Sequence, residues 1–486
     1  MKLPVRHRAF PPAAILLAQL LLVPAQPLAQ SPPHQPQTEM RAVWSEANWA
    51  VAARILQNAS DEGLEPSDYR PSATNDAART AAASAYARDL RLGRDRLRGL
   101  DKDILLPEQV FDAPAALALA LKDNRLEAFF SGLPPPAGEY ARLRSALARY
   151  RAIAAGGGWG SLTARAPETD LRARLESEYP SLAGIPTDIA LKHFQDRHGL
   201  PADAKLSRAT LAALNVPAAE RAQKIAANME RWRWLPRPLE ASRIAVNVPA
   251  AILTLWTEGK VALESRVIVG KPATPTPILR ANGIGVTVNP AWTVPRSIAV
   301  KEMLPKLRHN PAWLKSQNII LLNGPPGDPH GLLVNWRGLS QNNFPYRLQQ
   351  LPGSNNALGL IKLELPNRFD VYLHDTPGKG AFAASQRALS HGCVRVEQIM
   401  PLAAHALSDD SRQAAQRIAD AIAVGQTRTL PLPRTLPVYF LYLTAQADAR
   451  GEMQFWPDLY GRDRRLLLQL RAPDLRIAHN VKCPTG

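Results

Sequence analysis

At 486 residues and 46% hydrophobic side chains, the chain has apolar material for two or three cores of ordinary size, which excludes a disordered protein. Its 59 Lys and Arg against 42 Asp and Glu give a net charge of +17, so a polyanion is an attractive partner, although a basic surface also serves solubility. Only two cysteines occur, Cys393 and Cys483, which excludes a disulfide framework.

In chain order, Lys2, Arg6 and Arg8 precede an apolar run from Ala13 to Val23, with small residues at Ala25 and Ala29. This order predicts an export signal over residues 1–29, cleaved after Ala25 or after Ala29. The run is too short to span a bilayer as a mature helix; an uncleaved anchor is the alternative. Losing three basic residues leaves +14. The expected location is the periplasm, with no transmembrane anchor after cleavage and no nucleic acid as partner. Cys483 stands in a polar tail, and a silencing Cys393–Cys483 disulfide is a further alternative.

Residues 30–38 (QSPPHQPQT) read as a flexible leader. Residues 40–165 carry four stretches with apolar residues three and four apart, separated by Pro or Gly, and predict a helical scaffold that ends near Gly156-Gly157-Gly158. Within 166–236, the stretch from Thr187 to Asn215 predicts two short helices around a Gly-Leu-Pro turn, with Ile189, Leu191, Phe194, Leu211 and Leu214 on apolar faces. Its Phe194, Gln195, Gly199, Leu200, Thr210, Leu211, Leu214 and Asn215 resemble the peptidoglycan-binding three-helix module. The module's glycine turn is replaced by Asp203-Ala204-Lys205-Leu206-Ser207, so glycan binding and simple packing both stay open. His193 and His198 read as surface or packing residues, and Trp232 and Trp234 as packing between domains.

From Arg243 the pattern turns to alternation (RIAVNVPAAILTLW, ALESRVIVGK, GIGVTVNP) and predicts a mainly β domain over 241–430. Helical and Gly/Pro-rich text interrupts it at 297–350 as an inserted lid, before β text resumes at GLIKLELP and FDVYLHD. Residues 431–486 form a C-terminal extension. The expected fold class is multidomain α+β.

Chemistry concentrates in Tyr372-Leu373-His374-Asp375, followed by Ser390-His391-Gly392-Cys393-Val394-Arg395. A nearby imidazolium lowers a thiol's pKa, so Cys393 near two histidines reads as an activated nucleophile suited to acyl transfer. Gly392 permits a tight turn, and backbone N–H groups around Gly392 and Cys393 are candidate oxyanion donors. Two other readings stay open: a buried structural cysteine, and a zinc site from His374, His391 and Cys393, although no fourth ligand accompanies them.

The span from Arg243 to about Gly425 resembles the YkuD-type L,D-transpeptidase catalytic domain. His374, Ser390, His391, Gly392, Cys393 and Arg395 fit its motif. With NPAWTVP at 289–295, NNALGLIK at 355–362 and RWRWLP at 231–236, the chain resembles the large murein L,D-transpeptidases of the YcbB type. The resemblance implies Cys393 as nucleophile and His374 as its base, with the Asp375 carbonyl orienting the imidazole. It also implies His391 and Gly392 at the oxyanion hole, Arg395 on a substrate carboxylate or bracing the loop, and Tyr372 along the cleft. It further implies peptidoglycan stem peptides as substrate, wall-synthesis proteins as partners, and no metal or cofactor. Its reaction is transfer from a stem tetrapeptide, with loss of D-Ala, onto a second stem's amine. An L,D-carboxypeptidase of the same fold, lipoprotein attachment and a non-catalytic wall-binding protein remain alternatives.

Overall fold

The computed structural model describes residues 42–94 and 101–471. The export signal, the leader and Cys483 lie outside the described residues.

The N-terminal half is helical because its sequence caps helices where its apolar periodicity begins. Ser45, Asn75 and Asp112 each accept a hydrogen bond from the backbone N–H three residues on, opening helices Glu46–Gln57, Asp76–Leu92 and Ala113–Lys122. Leu126–Ser131 and Gly138–Ala155 follow. Helices Glu168–Glu178, Thr187–Arg197 and Arg208–Leu214 enclose a small core of Leu175, Leu191, Phe194 and Leu214. Ile189, expected on that apolar face, is instead 51% exposed, because Ala190, Leu191 and Phe194 take the inward positions. His198 is buried and stacks on Phe194 at 3.9 Å between ring centroids.

Helix Ala218–Arg233 runs through the centre of the molecule into RWRWLP. Arg233 is fully buried, bonding Glu230 at 3.0 Å and the Tyr140 hydroxyl at 2.8 Å, while Arg231 pairs with Asp463 at 2.5 Å. Removing either carboxylate would strand a buried guanidinium, a change that typically costs about 3–5 kcal/mol.

Eight strands then close into a barrel: β1 (Arg243–Asn247), β2 (Ile252–Thr257), β3 (Lys260–Gly270), β4 (Ile278–Val288), β5 (Ile361–Glu364), β6 (Leu373–His374), β7 (Val394–Val396) and β8 (Arg428–Leu441). The ring order is β4-β8-β1-β2-β3-β7-β6-β5, with β5 returning to β4. Alternation sends Val246, Leu253, Val267, Val286, Leu363, Leu373, Val394 and Phe440 inward, all at 1% exposure or less, and every second residue outward. The last strand continues past residue 430 to Leu441 and pairs in parallel with β1, so the barrel takes in the start of the C-terminal extension.

Between β4 and β5, strands Trp292–Thr293, Ile319–Leu321 and Leu348–Gln350 form a separate small sheet. It packs with nearby helices around Trp336, Leu307 and Leu314. The helical run from Arg296 to His309 holds a π-turn at Ala299–Met303. Pro305 follows it and has no N–H to continue the regular ladder.

Candidate active site

The outward positions of β5, β6 and β7 build the floor of the site. Register sets Lys362 opposite His374, and His374 beside Arg395. Over this row lies the inserted sheet and its helices, leaving a cavity of 240 Å³. Tyr372, His374, His391, Cys393 and Arg395 line it from below, and Trp292, Met303 and Trp313 from above.

His374 is held through one ring nitrogen. Its Nδ1 lies 2.5 Å from the Asp375 carbonyl oxygen, and since a carbonyl only accepts, Nδ1 carries the proton and Nε2 is left as a free base. Asp375 is itself held, its N–H donating to Ile361 O at 2.8 Å and its carboxylate accepting from Leu360 N–H at 2.9 Å and from Lys379. Gly359 makes room for that carboxylate: it has φ +61°, and a Cβ there would lie 2.4 Å from Asp375. Gly359→Ala is therefore expected to displace Asp375, lowering turnover about tenfold or more and the melting temperature by several degrees. Thermal unfolding measured beside turnover checks this, and a variant unchanged in both would refute it.

Burial pushes the His374 pKa down to about 3, helped by Arg395 and Lys362 and opposed by Asp375. Burial also raises the Cys393 thiol. Tyr372, through its backbone N–H and its hydroxyl, and Lys362 pull it back down, while Asp370 raises it further. The thiol lies 3.5 Å from the Asp370 carbonyl. Burial thus favours the neutral forms of both groups, and two cations, Arg395 and Lys362, flank the ring.

Two expectations change. Gly392, at φ +117°, donates its N–H to Ser390 Oγ at 3.1 Å and is not a free oxyanion donor. The Cys393 N–H has no acceptor among the described residues. His391 turns away from the thiol, its Nε2 lying 2.5 Å from the Glu302 carboxylate of the insertion and 3.3 Å from Lys271 Nζ. It ties the nucleophile loop to the covering element instead of shaping an oxyanion pocket.

Beneath Cys393, Thr276 Oγ1 donates to Gly392 O at 2.8 Å and accepts from Gly270 N–H at 2.9 Å. The Tyr460 hydroxyl donates to Gly270 O at 2.6 Å. Nothing local in the sequence pointed to Thr276, Tyr460, Lys271 or Glu302, since each reaches the site only through tertiary contact. Among the described residues no group of three His, Cys, Asp or Glu side chains is placed to hold a metal ion.

A barrel-borne thiol, a tautomer-locked histidine and an unpaired backbone donor are the groups that acyl transfer through a thiol requires. Residues 241–433 match the L,D-transpeptidase catalytic domain of the YkuD family, and residues 37–147 match a scaffold domain. The chain therefore carries a YkuD-family L,D-transpeptidase catalytic domain behind a helical N-terminal region. A Haemophilus influenzae protein named "Putative L,D-transpeptidase" is 35% identical over 246 residues, covering 51% of this chain and 49% of that one, so the chain spans about half of its curated relative. An L,D-transpeptidase structure from Stackebrandtia nassauensis is 13% identical over 56% of this chain and 90% of its own, with a TM-score of 0.22. One from Mycobacterium smegmatis is 12% identical over 41% and 58%, with a TM-score of 0.19. Likeness at that level adds nothing to the domain match.

Proposed function

We propose that the mature chain is a periplasmic L,D-transpeptidase that cross-links peptidoglycan stems through a thioester on Cys393. The observation that carries this reading is a thiol and a tautomer-locked, neutral histidine sharing a covered pocket in an L,D-transpeptidase catalytic domain.

Cys393 Sγ attacks the carbonyl at the L-centre of diaminopimelate in a donor tetrapeptide, and His374 Nε2 takes the thiol proton during the attack. The tetrahedral oxyanion is met by the Cys393 N–H. Collapse breaks the bond to D-Ala, whose amine leaves with the proton returned from His374. The side-chain amine of a second stem then gives its proton to His374 and attacks the thioester, forming the amide cross-link and releasing the thiolate, which His374 reprotonates. The inserted element, closed over the pocket, shields the thioester from water. Among the described residues no helix is long and apolar enough to cross a membrane.

Arg395 binds a stem carboxylate. Its buried Nε has no partner among the described residues, so an incoming anion finds an uncommitted guanidinium. Arg395→Ala is expected to raise KM about 10- to 100-fold. It should also move the acid limb of the rate toward neutrality, because this guanidinium helps depress His374. A KM that stays put would assign Arg395 to bracing the loop.

The test of function is product analysis with a disaccharide-tetrapeptide. Cross-linked dimer with free D-Ala supports transfer to an amine, whereas tripeptide alone would move the reading to an L,D-carboxypeptidase.

A further inference from the structure

A second cavity, of 290 Å³, lies on the outer barrel surface away from Cys393. Its floor follows from register: Arg243 pairs with Trp256, Ala245 with Thr254 and Asn247 with Ile252, all outward-facing on β1 and β2. Three separate parts of the chain wall it: Glu139 from helix Gly138–Ala155, Trp232 from helix Ala218–Arg233, and Gln446, Gln454 and Trp456 from the C-terminal hairpin.

The chemistry of the wall selects a ligand class. The rings of Trp256 and Trp456 are half-buried, and the Trp232 indole N–H is buried, at 7% residue exposure, with no acceptor among the described residues. Burying an indole donor without a partner is costly, and Trp232 stands in the wall of this cavity. The Gln454 amide adds a donor and an acceptor, while Asn247, Gln446 and Glu139 are joined in a chain, Asn247 Nδ2 donating to Gln446 Oε1 at 2.8 Å and Gln446 Nε2 to Glu139 at 3.0 Å. Arg243 is already engaged, bonding Glu240 O at 2.8 Å and stacking 4.2 Å from the Trp256 ring, so no free cation awaits an anion. With Glu264 at the exposed rim, the cavity disfavours acidic ligands. A neutral, polyhydroxylated ring with apolar faces fits: its C–H face lies on Trp456 and on the side of Trp256 that Arg243 does not cover, and its hydroxyl and acetamido groups bond Gln454.

The location ties this cavity to the catalytic one. Glu264 and Ile268 share the outer face of β3, and Ile268 pairs with Arg395. Four residues of strand set Glu264, at the rim of this cavity, about 13 Å from Ile268, the residue beside Arg395. The geometry points to a binding cleft for an N-acetylated glycan strand on the outer face of β1 and β2, which holds the sugar backbone while its stem reaches Cys393. The presence of a stem at Cys393 rests on the proposed function; the binding of sugar does not.

The experiment titrates the mature protein with the β-1,4-linked tetramer of N-acetylglucosamine, which has no stem, and follows tryptophan fluorescence and heat. Saturable binding is expected, weakened about tenfold or more in Trp256→Ala and again in Gln454→Ala, with thermal unfolding confirming that both variants fold. No saturable binding at millimolar sugar would overturn the proposal. So would equal affinity in wild type and both variants, which would put the sugar on the helical module at 166–236. A protein that binds the tetramer through Trp256 yet forms no cross-link would keep the cleft and sink only the transpeptidase reading.

Discussion

Cys393→Ala is expected to lose D-Ala release and cross-linked product by about 10⁴-fold or more, with the fold intact. The thiol makes no structural contact that alanine would strand: its hydrogen bond is a long one to the Asp370 carbonyl, and the loop is braced by backbone and by Thr276 and Tyr460. Losing a covalent nucleophile removes the whole two-step route, leaving only binding and the oxyanion donor. His374→Ala should approach the same loss, since a thiol raised by burial needs a base at the moment of attack. Circular dichroism and melting beside turnover check both variants; a Cys393→Ala protein with measurable transfer would remove the nucleophile from the account.

The second large effect is in pH dependence. With His374 at about 3, its imidazole stays neutral over the working range, so kcat/KM for acylation should show no histidine inflection between about pH 5 and 8. With burial holding the thiol above its ordinary range, only a small fraction is thiolate at neutral pH. Alkylation of Cys393 by iodoacetamide should therefore climb about tenfold per pH unit through neutrality without a plateau. The sign follows from burial, which penalises the charged form of each group: the anion of the thiol, the cation of the imidazole. A plateau that begins near pH 6 would instead report a standing thiolate–imidazolium pair.

The helical half was legible because Ser45, Asn75 and Asp112 announce their helices locally, and the β domain because outward and inward residues alternate from Arg243 onward. Closure of the barrel was not legible. Period two names a strand but not its neighbour, and the ring depends on β5 returning to β4 and on β8 lying parallel to β1 across about 190 residues. The same limit shaped the reading of the site. His374 and Cys393 stood out as residue types at a motif spacing, and folding sets both on one cavity. Their charge states did not follow from that spacing, because Lys362 and Arg395 flank the imidazole only through strand register, and the cover over the cavity comes from the insertion. His391 misled for a similar reason: its carboxylate partner, Glu302, is 89 residues away.

The most direct measurement is intact-mass spectrometry of the mature protein, quenched during the first turnovers with disaccharide-tetrapeptide. The account predicts an adduct equal to the donor less D-Ala, mapped to the peptide containing Cys393 and absent from Cys393→Ala. Free D-Ala appearing at full rate while the Cys393 thiol stays unmodified and alkylatable throughout would contradict it.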